Sequence, residues 1–145
     1  MLTLNPSIHI LLVEDDEVDV EDIRRVFKKN KIENPLHVAI NGLDALDKLL
    51  GRNGENKLDP TPKIILLDIN MPKMNGIEFL EILRKQPDLH AILVFVLTSS
   101  ADEHDKVAAY NLNVAGYILK PLQLDNFIKA VAVLNLYWAL LELPK

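Results

Sequence analysis

Acidic residues follow two apolar runs of the sequence that have the length and composition of β-strands. Glu14, Asp15 and Asp16 come after the run ILLV. Asp68 comes after the run IILL. Neighbouring carboxylates raise one another's pKa unless a cation lies among them, so a cluster of these groups needs a metal ion or a proton. In a sequence without cysteine, oxygen ligands favour a hard cation, and Mg²⁺ fits best because it uses one or two carboxylates and accepts phosphate oxygens.

The three consecutive acids also have a purely structural interpretation. Glu14, Asp15 and Asp16 could begin a helix, where negative charge is favourable near the positive end of the helix dipole. Asp68 has no such explanation, because it stands between an aliphatic strand and the segment INMP, where no helix start needs it. Pro72 and Gly76 shape the loop that follows. Asp68 is therefore the stronger indication of chemistry.

Two further polar groups follow predicted strands later in the chain. Thr98 and Ser99 end the run ILVFVL, and Lys120 follows AGYIL. A hydroxyl and an ammonium group can both donate hydrogen bonds to an anion. Taken singly, they could be a polar strand end and a surface lysine whose stem lies along apolar neighbours. Together with the acids, they indicate a site that binds an anion beside a metal ion.

Short apolar runs alternate with amphipathic helical segments along the chain, which predicts an α/β fold around a parallel sheet. The predicted strands are Ile8–Val13, Leu36–Ile40, Ile64–Leu67, Ile92–Leu97 and Ala115–Leu119. Several are continuously apolar, as expected where helices cover both faces of a sheet. The fourth helix is expected to begin near Ser100, whose spacing to Glu103 fits a capping box. Because ligands bind at the carboxyl ends of the strands in such sheets, the polar groups should converge there.

The last predicted helix, at about residues 125–142, is apolar on more than one face. From Phe127 to Leu141, 13 of 15 residues are apolar. The helix could fold its end over the core of its own domain, or it could form a homodimer or partner contact. We favour the contact, because large rings concentrate interface energy. The candidate interface residues are Phe127, Val131, Leu134, Tyr137 and Trp138.

Composition limits the other possibilities. A chain of 145 residues, of which 49% are apolar, fits one domain. With 16 basic and 21 acidic residues, it has no cationic field to attract nucleic acid or anionic lipid. The absence of cysteine excludes disulfides and Cys-ligated metal sites. No uncharged stretch approaches the roughly 18 residues of a membrane span, and no signal peptide is evident. We therefore expect a cytoplasmic protein that contacts neither membrane nor nucleic acid.

The segments LLVEDD, LLDINMPKMNG, VLTSS and AGYILKP, in this order and spacing, resemble the receiver domains of two-component response regulators. The similarity runs from about Ile8 to at least Phe127. It implies a flavodoxin-like, doubly wound five-stranded parallel sheet of order 2-1-3-4-5, with helices on both faces. Residues 1–145 would form a single receiver domain with an extended C-terminal helix. The resemblance also implies a sensor histidine kinase as partner.

The resemblance assigns a role to each acid of the predicted site. Asp68 is the implied acceptor of the phosphoryl group. Glu14 and Asp15 are the implied acidic pair, with Asp15 as a direct Mg²⁺ ligand, and Asn70 would give its backbone carbonyl to the metal. The charges agree with these roles, because three acids and Lys120 sum to −2, which one Mg²⁺ balances.

The donors and the switch residues are implied in the same way. Thr98 would be the switch hydroxyl, Tyr117 the rotating aromatic residue, and Lys120 the partner of the phosphoryl group. Asn70 and Ser100 would tune the lifetime of the phosphorylated state. The only catalysis expected is self-phosphorylation from a phosphodonor and self-dephosphorylation.

A closer resemblance concerns the loop GRNGENKLDPTP, the segment KVAAYNLNVAGYILKP and the ending LYWALLELP. These segments look similar to the small single-domain regulators paired with cyanobacterial-type phytochrome kinases. This resemblance implies a kinase of phytochrome type as the phosphodonor. It also implies a homodimer that includes the C-terminal extension, in agreement with the apolar last helix.

Two other functions remain open from the sequence. A receiver-fold binding module that signals without phosphorylation would lack one of the residues named for the reaction, yet Asp15, Asp68, Thr98 and Lys120 are all present. A Mg²⁺-dependent phosphatase of small molecules would need a second carboxylate two residues after Asp68 as a general acid or base. The chain has Asn70 there.

Overall fold

Five parallel strands, ordered β2-β1-β3-β4-β5 across the sheet, form the centre of the protein. The computed structural model describes residues 7–71, 73–108 and 110–119. The strands are β1 (Ile10–Val13), β2 (Leu36–Ala39), β3 (Ile64–Asp68), β4 (Leu93–Thr98) and β5 (Gly116–Leu119). The predicted fold class and strand order are confirmed. β3 and β4 each continue one residue further than predicted, so Asp68 and Thr98 are the last residues of their strands.

Four helices connect the strands in the part of the chain that the structure describes. They are α1 (Glu17–Lys29), α2 (Gly42–Leu50), α3 (Gly76–Lys85) and α4 (Ala101–Ala108). None of these helices combines the length and the hydrophobicity that a membrane span requires. The predicted last helix, at about 125–142, and its five candidate interface residues lie outside the described residues.

The two faces of the sheet have separate apolar cores, which explains the continuous apolar runs of the strands. Ile10 and Leu12 of β1 pack with the α1 side chains, including Ile23. Leu11 and Val13 belong to the core that contains the apolar side chains of α2 and α3. Alternate side chains of one strand point to opposite faces, so a strand that is buried on both faces must be apolar throughout.

Arg84, near the end of α3, ties two loops to the helix. Its guanidinium donates to the carbonyl oxygens of His90 (2.7 Å) and Ile92 (2.8 Å) before β4. It also donates to those of Leu112 (2.9 Å) and Asn113 (2.9 Å), in the loop before β5. Partial burial lowers the pKa of Arg84. The side chain thus satisfies backbone carbonyls of both loops and fixes the entry to β4 and β5.

A histidine pair lies near the edge of the sheet. His9 Nδ1 and His37 Nε2 are 2.9 Å apart, so one imidazole donates to the other. Both rings are half-buried. Burial, and secondarily the neighbouring His9, lower the pKa of His37 from its usual value of 6.5. The folded protein therefore favours a neutral His37.

Replacing Arg84 by alanine should lower the free energy of unfolding by about 2–3 kcal/mol, because four backbone carbonyls, two of them in partly buried hydrogen bonds, lose a charged donor. Urea unfolding followed by circular dichroism measures the change. Lys85→Ala is the matched control, because Lys85 is the exposed neighbour in the same turn. Equal stability of the two variants would contradict the bracing role of Arg84.

Acid should destabilise the protein through His37. Because folding lowers its pKa, the unfolded chain binds the proton more readily, and the free energy of unfolding should decline as the pH falls through about 6.5 toward the lowered pKa. Denaturant titrations between neutral and mildly acidic pH measure this slope. His37→Asn should flatten the slope, whereas substitution of the exposed His90 by asparagine should not. The same slope in both variants would exclude His37 as its source.

Candidate functional site

The register of the sheet brings the acids of β1 and β3 to the same level. Val13 of β1 pairs with Leu67 of β3. Glu14 and Asp68 directly follow the two members of this pair, so they stand side by side at the carboxyl edge of the sheet. The Glu14 amide donates to the Ala39 carbonyl (2.9 Å), which extends the backbone pairing of β1 one residue past the strand.

Three carboxylates form a cluster at this edge. One ligand oxygen each from Glu14, Asp15 and Asp68 lies within 4.8 Å of the other two. Glu14 and Asp68 are buried, with exposed fractions of 1% and 6%, and Asp15 is exposed. The donors are all carboxylate oxygens, the ligands that hard divalent cations take. The cluster thus fits a divalent ion that is reached from the side of Asp15.

Asp16 has a different task from its two neighbours. It is the N-cap of α1, and its Oδ1 accepts a hydrogen bond from the Val18 amide at 2.8 Å. The helix-start interpretation of the acidic run is therefore correct for Asp16. Asp16 caps the helix, while Glu14 and Asp15 face the cluster.

The loop after β3 is packed closely against the backbone of Asp68. The Asn70 amide lies 3.4 Å from Asp68 Oδ1. The Gly76 amide donates to the Ile69 carbonyl (3.0 Å), and a Cβ atom at Gly76 would come within 2.8 Å of the Asp68 carbonyl oxygen. A larger residue at Gly76 would displace the loop, so this glycine is needed to hold Asp68 and Asn70 in place.

Thr98 reaches the same edge from β4. Leu97 pairs with Asp68, so Thr98 stands one residue beyond that pair, and it is 3% exposed. Thr98 itself pairs with Leu119 of β5. Lys120, the next residue in the chain, lies outside the described residues.

Glu103 of α4 joins the site, which was not predicted. Its Oε2 accepts from Asn70 Nδ2 and from Ser99 Oγ, both at 3.0 Å. Its Oε1 lies 3.4 Å from the Ser99 amide. The predicted capping box is half correct: Ser100 Oγ accepts from the Glu103 amide (3.2 Å), but the Glu103 carboxylate bonds to Ser99 and Asn70 instead of returning to Ser100. The capping signal was present in the sequence, but it could not show this contact across 33 residues.

Tyr117 of β5 lies against α4. Its ring centroid is 3.8 Å from that of His104. The tyrosine is half-buried, and this burial raises the pKa of its hydroxyl. His104 therefore restrains the ring of Tyr117 on the side of the sheet that α4 covers.

Comparison with known proteins gives a family match over most of the chain. The family model of the response regulator receiver domain matches residues 10–132. Response regulator Rcp1 of Synechocystis sp. is 39% identical over 134 residues, which cover 92% of this chain and 90% of that protein.

Solved structures give the same match. The Mn²⁺-bound form of Rcp1 is 37% identical with a TM-score of 0.69, over 95% of this chain and 97% of that one. The bacteriophytochrome response regulator RtBRR is 39% identical with a TM-score of 0.80, over 96% and 84%. The phosphorylated cyanobacterial phytochrome response regulator RcpA is 31% identical with a TM-score of 0.71, over 92% and 94%.

The different positions of Asp15 and Asp16 can be tested with metal ions. Asp15→Asn should weaken Mg²⁺ or Mn²⁺ binding about tenfold or more, because it removes one ligand oxygen of the cluster. Asp16→Asn should bind within about twofold of the unchanged chain, since asparagine also caps helices. Isothermal titration calorimetry measures both. Equal losses in the two variants would show that only general acidity attracts the ion.

Proposed function

The chain belongs to the response regulator receiver family, and on this basis we propose that it takes a phosphoryl group from a sensor histidine kinase onto Asp68 with Mg²⁺ and thereby changes its interaction surface. Membership of the family confirms the resemblance that the motifs indicated. The observation that carries the proposal is the buried Asp68 carboxylate, gathered with Glu14 and Asp15 at one sheet edge.

The proposed reaction is a transfer between two side chains. A carboxylate oxygen of Asp68 attacks the phosphorus of a phosphohistidine, an O–P bond forms, the N–P bond breaks, and the imidazole nitrogen keeps the electron pair and takes up a proton. Hydrolysis returns the protein to its unphosphorylated state. Water attacks the phosphorus, the Asp68 carboxylate leaves, and inorganic phosphate is released. Self-phosphorylation from small phosphodonors follows the same course.

The metal would be held by Glu14, Asp15 and Asp68, with the backbone carbonyl of Asn70 as a further ligand. Bound there, Mg²⁺ would neutralise the charge that accumulates on the phosphoryl oxygens. The choice of Mg²⁺ is supported by a donor set made only of oxygens, and the related Rcp1 has been solved with Mn²⁺. Glu14, being buried, would contribute its charge without competing water.

Phosphorylation would change the charge at Asp68 from −1 to about −2. Thr98, at the same edge, is the proposed donor that moves toward the new anion. Lys120 is the proposed cationic partner of the phosphoryl group. Movement of Thr98 would leave space for Tyr117, whose ring now lies against His104. A local change of charge would thus repack the surface formed by α4 and β5.

Two polar residues are proposed to set how long the phosphorylated state lasts. Asn70 lies in the loop after β3, two residues from Asp68, and Ser100 directly precedes α4, two residues from Thr98. The Ser100 hydroxyl already accepts the hydrogen bond that caps α4. The Asn70 side chain donates a hydrogen bond to Glu103. The influence of Asn70 on the access of water to the phosphoryl group would therefore depend on that contact.

The proposed donor is a kinase of phytochrome type. This is supported by similarity over nearly the whole chain to RtBRR and RcpA, which are named as bacteriophytochrome and phytochrome response regulators. We further propose a homodimer through the last helix, which rests on the apolar pattern of its sequence and on the five candidate residues from Phe127 to Trp138. Cytoplasmic placement would follow from such a partner.

Incubation with acetyl phosphate and Mg²⁺ should add the mass of one phosphoryl group to the chain, as measured by intact-protein mass spectrometry. Asp68→Asn should abolish this gain, because the amide is not a nucleophile of this kind. An autophosphorylated phytochrome kinase as donor should give the same pattern. Asp88→Asn, an exposed substitution in the loop after α3, is the control that should keep the gain.

This assay and a measurement of phosphate release from small phosphate esters separate the alternatives that the sequence leaves open. A binding module that signals without phosphorylation would show no mass gain from either donor. A small-molecule phosphatase would hydrolyse a range of phosphate esters in many turnovers, for which the carboxamide of Asn70 offers no general acid or base. A gain that persists in Asp68→Asn would contradict the assignment of Asp68.

A further inference from the structure

The Glu103 carboxylate occupies hydrogen-bond donors that lie beside the proposed acceptor. One of its oxygens accepts hydrogen bonds from the Asn70 side-chain amide and the Ser99 hydroxyl, both at 3.0 Å. Its second oxygen lies 3.4 Å from the Ser99 backbone amide. Asn70 is two residues from Asp68, and Ser99 directly follows Thr98. One anionic side chain of α4 therefore contacts both loops that border the site.

These donors are suited to a phosphoryl group as well. A phosphoryl group offers three strong acceptor oxygens and a charge of about −2, which must be met by donors and cations close to Asp68. The backbone amide of Ser99 stands at the end of β4 next to Thr98, and the Asn70 amide already lies 3.4 Å from Asp68 Oδ1. An anion on Asp68 and the anion of Glu103 would draw on the same small set of donors.

We propose that Glu103 is a positioning residue that competes with the phosphoryl group: its carboxylate holds Asn70 and Ser99 in the unphosphorylated protein and releases them when Asp68 is phosphorylated. The inference rests on the proposed function. It goes further by giving α4 a direct connection to the charge of the site, because Glu103 belongs to the first turn of that helix.

The direction of the effect follows from charge. Two anions that accept hydrogen bonds from the same donors lie close together and repel each other. This repulsion falls when the Glu103 carboxylate leaves the shared donors to the anion on Asp68. A neutral residue at 103 would hold the donors less strongly, since hydrogen bonds to charged groups are about twice as strong as neutral ones. The site should then accept an anion on Asp68 more readily. A contact that only stabilised the loops would have the opposite effect, because its loss would loosen the site.

Beryllium trifluoride with Mg²⁺ is the probe, since it adds to a carboxylate as a stable substitute for the phosphoryl group. Isothermal titration calorimetry on the full chain should give a dissociation constant for beryllofluoride about three- to tenfold lower for Glu103→Gln than for the unchanged protein. The affinity for Mg²⁺ alone is measured for both proteins, and the beryllofluoride constants are compared at saturating Mg²⁺.

Asp102→Asn is the matched control. It removes the same charge from the neighbouring exposed position of α4. Tighter binding by Glu103→Gln but not by Asp102→Asn supports the competition. Equal changes in both variants, or weaker binding by Glu103→Gln, would overturn it. If the unchanged protein bound no beryllofluoride, the proposed function itself would fail, whereas normal binding by the unchanged protein and no gain in Glu103→Gln would refute only the role of Glu103.

Discussion

Repulsion among three carboxylates at one edge of the sheet is the constraint around which the site is arranged. Two unit charges at 4.8 Å, the upper limit of the separations within the cluster, repel by about 3 kcal/mol at an effective dielectric constant of about 20. The register of β1 and β3 holds Glu14 and Asp68 together despite this cost, because both strands are buried on both faces and cannot slip without exposing apolar side chains. The fold thus maintains an arrangement that is unfavourable until a divalent cation or a group with compensating charge is present.

The surrounding elements hold the backbone around the three carboxylates in place. Asp16 caps α1 directly after the acidic pair, and Gly76 lets the next loop approach the backbone of Asp68. Arg84 fixes the loops that lead into β4 and β5 from the opposite end of the sheet. In the described part of the chain, Glu103 connects α4 to the site through its hydrogen bonds with Asn70 and Ser99. A helix attached in this way can respond to a change of charge while the sheet remains unchanged.

Much of this could be predicted from the sequence, because the signals were local. Continuous apolar runs gave the parallel sheet, and the position of acids directly after them placed the cluster. The prediction that failed concerned which of several possible hydrogen-bond partners a side chain contacts. The Ser100 and Glu103 spacing indicated a capping box, but the carboxylate accepts hydrogen bonds from Asn70 and Ser99, and only the folded chain brings Asn70 near. The pairing of His9 with His37 and the contact of His104 with Tyr117 depend on strand register and helix placement in the same way. The family match over residues 10–132 agrees with the resemblance of the four sequence motifs.

The most direct measurement is a crystal structure of the full chain with Mg²⁺ and beryllium trifluoride. It should show the metal bound by oxygens of Glu14, Asp15 and Asp68, beryllium joined to a carboxylate oxygen of Asp68, and the Thr98 hydroxyl donating to a fluoride. Metal bound elsewhere, or beryllium absent from Asp68 while the three carboxylates point apart, would contradict the proposed phosphoacceptor site.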